Sequence, residues 1–328
     1  MISYIVRAIL IGVPMLYGAT GEILTEKSGH LNLGIPGIMY VGAISGVTGS
    51  FLYENACGND IANMNAFLAV FIPLICCILG SVLMGFIYSF FTVTLRANQN
   101  VTGLAITTFG IGLGNFFGAS LIKLVDSDMP SVALTKTSRF FCTKLPFADD
   151  LGWFGELFLS FDFLTYFAII IAIIASIVLT KTRVGLNLRA VGESPATADA
   201  AGINVTKYKY IATCIGSGIA GLGGLQYVMA YANGSWSNDA FGDRGWMAIA
   251  LVIFALWKPH MAIVGAFLFG ALFNANTYAV GLGVETQELF KMLPYVVTII
   301  VLVFTSMRKK REHQPPAHLG LPYFREER

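Results

Sequence analysis

Charged side chains are scarce in this 328-residue chain. Asp, Glu, Lys and Arg make up 12% of the sequence, whereas a water-soluble domain carries about 25%. Together with 55% hydrophobic residues and a mean hydropathy of +0.69, this scarcity excludes a water-soluble globular protein. The 21 basic and 19 acidic residues leave a net charge of +2, too small for a nucleic-acid-binding surface. The chain is therefore predicted to be an integral membrane protein.

The sequence also lacks the motifs of several enzyme classes. It has no GxxxxGK[ST] phosphate loop, so we do not expect it to bind and hydrolyse ATP by that route. GxSxG, HExxH and CxxC motifs are absent as well, and we predict no catalytic residue and no metal site. Acids within the apolar spans are almost absent, which argues against a proton-coupled pump but not against a Na+ site built from backbone carbonyls.

Long apolar runs are abundant instead. A helix that crosses a hydrocarbon core of about 30 Å needs roughly 20 apolar residues. The pattern predicts an all-α polytopic membrane protein with about nine (eight to ten) transmembrane helices, some of them broken or short. The candidate spans are residues 3–20, 30–52, 64–93, 100–122, 163–180, 208–230, 244–257, 260–280 and 289–306.

Three of these spans are irregular. Span 30–52 begins with polar residues, span 64–93 contains Pro73 and is expected to be kinked or split, and span 244–257 is short. Interrupted spans of this kind are typical where backbone lines a cavity instead of facing lipid. A cleaved signal peptide over residues 1–20 is the competing interpretation of the first span, but Arg7 alone supplies the positive charge that such a peptide needs.

Basic residues in the connecting segments predict the orientation, because Lys and Arg are retained on the cytoplasmic side. Loop 181–209 holds five basic and two acidic residues, whereas loop 53–63 has no basic residue. Loop 181–209 and the C-terminus are therefore predicted to be cytoplasmic. The loops 53–63, 123–162 and 231–243 would face outward, and nine crossings then place the N-terminus outside.

The chain is expected to form one transmembrane domain, residues 1–306, followed by a basic cytoplasmic tail, residues 307–328. The tail opens with the run Arg308, Lys309, Lys310 and Arg311, which suits an anchor beside anionic lipid. Of five cysteines, Cys57 and Cys142 fall in the predicted outer loops, where a disulfide is chemically possible.

Loop 181–209 contains a predicted short helix over residues 195–201. Ser194 suits its N-cap, Pro195 its first turn, and Gly202 a left-handed end. Two turns are too few for stability in isolation, and the helix has no large apolar stripe. It is either a connector or a docking helix for a cytoplasmic subunit, flanked by Arg189 and Glu193.

A second informative stretch runs from Gly21 to Met39. Asn32, Gly34, Pro36 and Gly37 interrupt an otherwise apolar run. They would leave backbone groups free for water or solute, which favours the lining of a cavity. The alternative is a kinked helix packed through small residues.

These two stretches carry a family resemblance. The entrance pattern E-x-x-G-x-x-N-x-G-x-x-G-x-M-x-x-G-A stands here as Glu26, Gly29, Asn32, Gly34, Gly37, Met39, Gly42 and Ala43. A loop pattern R-A-V-G-E-x-P-x-A-A-x-x-A-G-I matches residues 189–203, and residues 95–105 and 245–250 fit as well. The chain thus resembles, over about residues 15–306, permease subunits of ABC importers of the nucleoside, simple-sugar and branched-chain amino acid superfamily. The nearest resemblance is to the bacterial nucleoside importers with two different permeases.

The resemblance implies a set of partners. A homologous second permease would complete the pathway, an external solute-binding lipoprotein would deliver the solute, and a cytoplasmic ABC ATPase would use ATP and Mg. The chain itself would bind no cofactor and would sit in the bacterial cytoplasmic membrane. Many relatives carry an acid where this chain has Pro36, which weakens any transfer of substrate identity.

The candidate site residues fall into two sets. Coupling to the ATPase is assigned to Arg189, Gly192, Glu193, Ser194, Pro195, Ala198, Ala201 and Gly202. Lining of the pathway is assigned to small or polar residues within apolar spans: Asn32, Gly34, Gly37, Asn98, Gln99, Thr102, Thr107, Asn115, Asn274 and Asn276. Aromatic rings at Trp236, Phe241 and Trp246 either stack on a ring of the solute or serve as interface anchors.

Composition and spacing do not separate the substrates. A nucleoside is the first choice, followed by riboflavin, a ribose-like sugar and a branched-chain amino acid. An ion-coupled secondary transporter is the alternative from another class, and a membrane-embedded enzyme is the third hypothesis.

Overall fold

The computed structural model describes residues 2–124, 131–143, 152–278, 284–308 and 314–325; within these ranges, the side chains of 276–278, 284–288, 291, 305, 306 and 308 are not described. These residues form thirteen α-helices and one short antiparallel strand pair. The helices are α1 Ile2–Glu26, α2 Ile35–Ala56, α3 Ala66–Ser89, α4 Gln99–Leu124, α5 Thr135–Phe141, α6 Gly152–Phe158, α7 Phe163–Lys181, α8 Arg183–Glu193, α9 Pro195–Ala200, α10 Val205–Gln226, α11 Arg244–Phe254, α12 Pro259–Tyr278 and α13 Val284–Arg308. The strands are β1 Val132–Ala133 and β2 Ser235–Trp236, with Val132 opposite Trp236.

Nine helices match the nine predicted spans. Six are long and apolar enough to cross a membrane, namely α1, α2, α3, α4, α7 and α10. Helix α3 is extended by a π-helical turn over Phe90–Thr94, and α10 by one over Tyr227–Tyr231. Three shorter apolar helices lie within α11, α12 and α13. The prediction of an all-α polytopic membrane protein with some short spans is therefore confirmed.

Two of the expected boundaries change, and one expected break is absent from the described α3. Helix α1 continues six residues past the predicted end at residue 20, because Gly21 sits inside the helix against the carbonyl oxygen of Gly216 and does not end it. Residues 30–34 are not helical, so α2 starts at Ile35. Pro73 lies within an unbroken α3, which corrects the expected split; a proline is tolerated in a membrane helix where local backbone adjusts.

Helix α1 is the centre of the packing. It contacts α7, α10, α11 and α12, and its residues from Ile11 onward are largely buried. Helix α2 packs against α3, α4 and α10 in the same way. The first span is thus packed into the helix bundle over most of its length.

The connecting segments gather at two ends of the bundle. At one end, Glu54 accepts hydrogen bonds from the backbone N and Oγ1 of Thr137 at 2.8 and 2.7 Å, and Lys136 donates to the carbonyl of Asn59. The pairing of β1 with β2 joins the third segment of the same predicted side. The described parts of the loops predicted to face outward thus lie together, while the side of the membrane they face stays a prediction.

Cys57 and Cys142 are free thiols in the structure. The Sγ atom of Cys142 lies 3.3 Å from the carbonyl oxygen of Met229, to which it donates. Burial raises the pKa of Cys142 above its usual range, so this thiol resists ionisation. The possible disulfide is therefore not formed in this structure.

Two glycines of α4 provide a matched test of the packing. A Cβ added at Gly110 would lie 2.6 Å from the carbonyl oxygen of Gly37, whereas one added at Gly112 meets nothing within 4 Å. We expect Gly110→Ala to lower the free energy of unfolding by about 1–3 kcal/mol because backbone must move. Gly112→Ala should leave it unchanged or raise it by up to about 1 kcal/mol. Thermal melts of the detergent-solubilised chain compare the two; equal melting temperatures would contradict the close approach of α4 to α2.

Candidate functional site

A buried, non-helical loop, residues 27–34, separates α1 from α2. Backbone groups in such a place need partners, since water is excluded from them. Side chains from three helices supply those partners. The bonds are Asn32 N to Glu22 Oε1 (3.0 Å), Leu31 N to Gln99 Oε1 (2.8 Å), Tyr88 Oη to Leu31 O (2.6 Å) and Thr107 Oγ1 to Leu33 O (2.7 Å).

The predicted pathway residues Asn32 and Gln99 belong to this loop network. Asn32 is 0% exposed, and its Oδ1 accepts from the backbone N of Gly34 at 2.9 Å. Gln99 is 2% exposed, and its Nε2 donates to the carbonyl of Leu321 at 3.2 Å. Both side chains fix the loop in this conformation, and the Nδ2 group of Asn32 has no hydrogen-bond partner in the described part of the chain.

The other predicted lining residues are dispersed. Asn98 is exposed and caps α4 by accepting from the N of Val101 at 3.1 Å, and Thr102 lies half-buried one turn later. Asn274 is buried at the interface of α12 with α1, where its Nδ2 donates to the carbonyl of Tyr4 at 3.2 Å. The side chain of Asn276 lies outside the described part. Among the described residues, Asn98 and Asn274 thus lie apart from the network around Asn32 and Gln99.

A polar and aromatic cluster lies around Tyr40, in the second turn of α2. Tyr40 Oη donates to Asn115 Oδ1, Asn115 Nδ2 donates to Asp239 Oδ1 at 3.0 Å, and the N of Asp239 donates back to Tyr40 Oη at 2.9 Å. The rings of Trp236 and Phe241 pack edge-on against Tyr40, and each is 3% exposed. Both rings are core contacts in this conformation, which fits the anchor interpretation better than an open stacking platform.

The starts of α2 and α11 meet inside the protein. Gly245, in the first turn of α11, packs on the ring and Cα of Pro36, and an added Cβ would lie 2.5 Å from that Cα. Gly37 in turn packs on the backbone of α4 at Thr107. The first N–H groups of a helix have no partner within it; at α2, Pro36 carries no N–H and the N of Gly34 donates to Asn32 Oδ1. Trp246, half-buried, follows directly on this contact.

Arg244 sits at the same helix start. Its guanidinium is 4.4 Å from the ring centre of Tyr227, 5.3 Å from that of Tyr231 and 5.4 Å from that of Phe273. It also donates to the carbonyl of Phe241 at 2.8 Å. Arg244 is not among the residues predicted from the sequence, although an arginine within a predicted apolar segment is a signal of a buried polar site.

Two buried acids correct a sequence-based expectation. Because α1 extends to its final residue Glu26, both Glu22 and Glu26 lie within a membrane-length helix, at 0% and 3% exposure. Glu22 accepts from Asn32 N, and Glu26 accepts from the indole Nε1 of Trp257. The expectation that the spans hold almost no acid is therefore wrong, since it depended on a helix end placed too early. These carboxyls hold the loop and the segment after α11.

The predicted coupling helix is present as α9, and the loop around it contains a second helix, α8, that sequence analysis did not predict. Ser194 caps α9 by accepting from the N of Thr197 at 3.4 Å, Pro195 opens it, and Gly202 ends it at φ +82°. Buried Ala198 packs with Val191 of α8. The opposite face of α9 is exposed and carries only small side chains: Ala196, Thr197, Ala200 and Ala201.

Helix α8 connects the coupling helix to the buried loop through backbone. At Gly192 an added Cβ would lie 2.3 Å from the carbonyl oxygen of Lys27, and Gly29, at φ +84°, lies against the Cα of Gly192. No side chain separates the two segments at this point. Loop 27–34 and α8 are therefore packed backbone to backbone at Gly192.

The chain beyond α13 returns to the same place. The N of His318 donates to the carbonyl of Gly192 at 3.0 Å, the N of Ala317 to Glu193 Oε2 at 3.3 Å, and Arg325 Nε pairs with Asp199 at 3.1 Å. Residues 314–325 thus form a strap over α8, α9 and loop 27–34. The basic run predicted as an anchor, 308–311, lies outside the described side chains.

Burial shifts the pKa values of two ionisable groups at this junction, Lys27 and His30. Burial lowers the pKa of Lys27 below its usual value, partly offset by nearby Glu193. Arg189, half-buried, shares a cavity of about 380 Å³ with both. Burial, with the positive charges of Lys209 and His318, holds the pKa of His30 well below its usual range. His30 is therefore neutral near pH 7, and its Nδ1 lies 3.3 Å from Thr213 Oγ1.

Residues 4–302 match the family described as branched-chain amino acid transport system / permease component. The guanosine ABC transporter permease protein NupQ of Bacillus subtilis is 30% identical over 100% of this chain and 98% of its own length. The nucleoside ABC transporter permease protein NupC of Lactococcus lactis is 30% identical over 91% of this chain and 90% of its own length. The nucleoside ABC transporter permease protein NupB of the same organism is 24% identical over 90% of this chain and 77% of its own length. A putative glucose ABC transporter permease protein of Haloferax volcanii is 30% identical over 90% of this chain and 88% of its own length. No solved structure matches the chain.

The lowered pKa of His30 predicts a pH dependence of the stability. In the unfolded chain, His30 takes up a proton near its usual pKa of about 6.5, whereas in the folded chain it stays neutral at that pH. The contribution of His30 to the free energy of unfolding is therefore fully present above about pH 6.5 and is lost as the pH falls below it. His30→Gln should reduce the loss of melting temperature between about pH 7.5 and about pH 5.5. His260→Gln, at an exposed position, should keep the wild-type loss. The same pH dependence in all three proteins would contradict a neutral, buried His30.

Proposed function

The chain belongs to the family of permease components of branched-chain amino acid transport systems, and from this premise we propose that it is the transmembrane permease of an ATP-driven ABC importer for a nucleoside-like solute. It is a transport subunit, and ATP and Mg would be used by a separate cytoplasmic ATPase. The observation that carries the proposal is the short helix α9, whose exposed face of small residues is coupled through Gly192 to the buried loop 27–34.

The coupling helix suits a docking role. Its exposed face offers Ala196, Thr197 and Ala200, which let a partner surface approach the helix closely. Its buried face holds Pro195 and Ala198 against the protein. A helix of two turns is not stable alone, so α9 keeps its conformation because α8 and the strap pack against it. The residues Arg189 to Gly202 would then transmit the movement of the ATPase.

Loop 27–34 and the meeting point of α2 with α11 are the proposed moving parts of the pathway. The loop is held by hydrogen bonds from the N of Asn32 to Glu22 and from the N of Leu31 to Gln99. Each contributes about 0.5–1.5 kcal/mol and can be exchanged for another partner. Gly34 and Gly37 place backbone, not side chain, against α4. A pathway with weak polar contacts suits an importer in which a delivery protein supplies the affinity.

The partners follow from the same proposal. Both NupC and NupB, two nucleoside permeases of one organism, are similar to this chain, which supports a pair of different permeases enclosing one pathway. An external solute-binding lipoprotein would deliver the solute at the end where β1 pairs with β2. The C-terminus and α9 would lie on the cytoplasmic side of the bacterial inner membrane.

A nucleoside is the preferred solute because two relatives with 30% identity over nine-tenths or more of the chain are named for guanosine or nucleosides. A sugar is the second candidate, since the relative named for glucose has the same identity. Riboflavin and branched-chain amino acids follow them.

A bulky charge on the exposed face of α9 tests the coupling. The assay is ATP-dependent uptake of labelled guanosine into proteoliposomes that hold the chain, its companion permease, the ATPase and the binding protein. Ala200→Arg should lower this uptake at least about tenfold, because it weakens the binding free energy of the ATPase by about 1.4 kcal/mol or more. Ala62→Arg, exposed at the opposite end, is the matched control and should transport like the wild type.

The possible results separate the parts of the proposal. Uptake of glucose but not guanosine would refute the nucleoside and keep the importer. Full uptake without any ATPase would refute the ABC mechanism and favour a secondary transporter. Normal uptake by Ala200→Arg would remove α9 as the docking element.

A further inference from the structure

A second site lies beside the coupling helix and is not used in the proposed transport cycle. It is a cavity of about 710 Å³ between the end of α3, the start of α10, the end of α9 and the strap. Four of its lining residues are basic, and one, Asp199, is acidic. The basic residues are Arg96, Lys207, Lys209 and Arg325.

The acidic residue is already engaged by one of these cations. Asp199 Oδ2 accepts from Arg325 Nε at 3.1 Å and from Tyr323 Oη at 3.0 Å. Arg96 stacks on the ring of Phe324 at 4.8 Å and leaves its charge at the cavity wall. The cavity therefore carries a net charge of about +3, from four formal positive charges and one negative.

Lys209 is the most informative member. Its side chain is 3% exposed and lines the cavity, and the one acid in the lining of this cavity, Asp199, is bonded to Arg325 and Tyr323. A buried, unpaired ammonium is costly unless an anion completes it. The arrangement leaves room for an anionic group within the cavity.

An apolar groove adjoins this cavity. It has a volume of about 550 Å³ and lies between α7 and α10, with α8 at one end. Apart from Lys207 and Tyr208, its lining is aliphatic, including Ile174, Val178 and Ile215. Lys207 and Ile211 line both the groove and the basic cavity, so the two form one continuous surface with a charged end and an apolar end.

We propose that this surface binds an anionic phospholipid, with the headgroup phosphate among Arg96, Lys207 and Lys209 and an acyl chain along the groove of α7 and α10. The depth suits this occupant, because the basic residues lie at the ends of α3 and α10, where a membrane-length helix meets the headgroup region. A soluble anion would satisfy the charges but would not explain the groove.

The bound lipid would also stabilise the coupling elements. The cavity wall includes Asp199 and Gly202 at the end of α9, and Tyr323 and Arg325 of the strap. A headgroup there reduces the repulsion among the cations that hold these segments together. The lipid site is thus a brace for the coupling helix, distinct from the solute pathway.

Native mass spectrometry of the full chain in detergent tests the site. The probe is phosphatidylglycerol, with phosphatidylcholine as the neutral lipid and sn-glycerol 3-phosphate as the free headgroup. The variant is Arg96→Gln with Lys209→Met, which keeps the apolar stem at the buried position. The control is Lys181→Gln with Arg183→Gln, two exposed cations at the same end and outside both cavities.

We expect the wild type to retain phosphatidylglycerol over phosphatidylcholine. The site variant, which lacks two cations, should retain it about 25-fold less, since each cation near an anionic headgroup contributes about fivefold. The control should retain it like the wild type. Equal retention by the site variant and the wild type would overturn the site. Binding of glycerol phosphate as tight as that of phosphatidylglycerol would overturn the lipid and leave a phosphate site. Thermal melts in neutral detergent establish that the variant is folded, because loss of an unpaired buried charge does not destabilise it.

Discussion

The contact of Gly192 with the backbone at Lys27 is the constraint on which the rest of the arrangement depends. It places α8, and through it the coupling helix α9, directly on the loop that interrupts the first two membrane helices. A side chain at residue 192 would occupy the position of the Lys27 carbonyl, so only glycine permits this approach. In the proposed importer, this contact would transmit a movement of α9 to the loop.

A buried loop with irregular backbone needs a complete set of partners, and the surrounding helices provide them. Glu22, Tyr88, Gln99 and Thr107 each bind a backbone group of residues 27–34. These polar residues in apolar helices are therefore explained by the loop that they hold. They remain suited to transport, since hydrogen bonds of this kind exchange partners at small net cost when the loop moves.

Much of this was predictable from local sequence signals. Nine apolar spans, the cap at Ser194 and the left-handed Gly202 follow from hydropathy and from the chemistry of helix ends. The extension of α1 to Glu26 was not predictable in this way, because Gly21 ends a helix in water but packs against another helix here. The position of Asn274 at a helix interface and the returning strap depend on long-range contacts that no single sequence pattern contains.

The central claim is that α9 drives the pathway through Gly192, and the number of ATP molecules hydrolysed per solute imported tests it most directly. The measurement uses the reconstituted importer with Gly192→Ala, and Gly112→Ala serves as a control at an unobstructed glycine. The account predicts that Gly192→Ala keeps the ATPase active while uptake falls, so that this ratio rises well above that of the wild type. An unchanged ratio with normal uptake would contradict transmission through this contact.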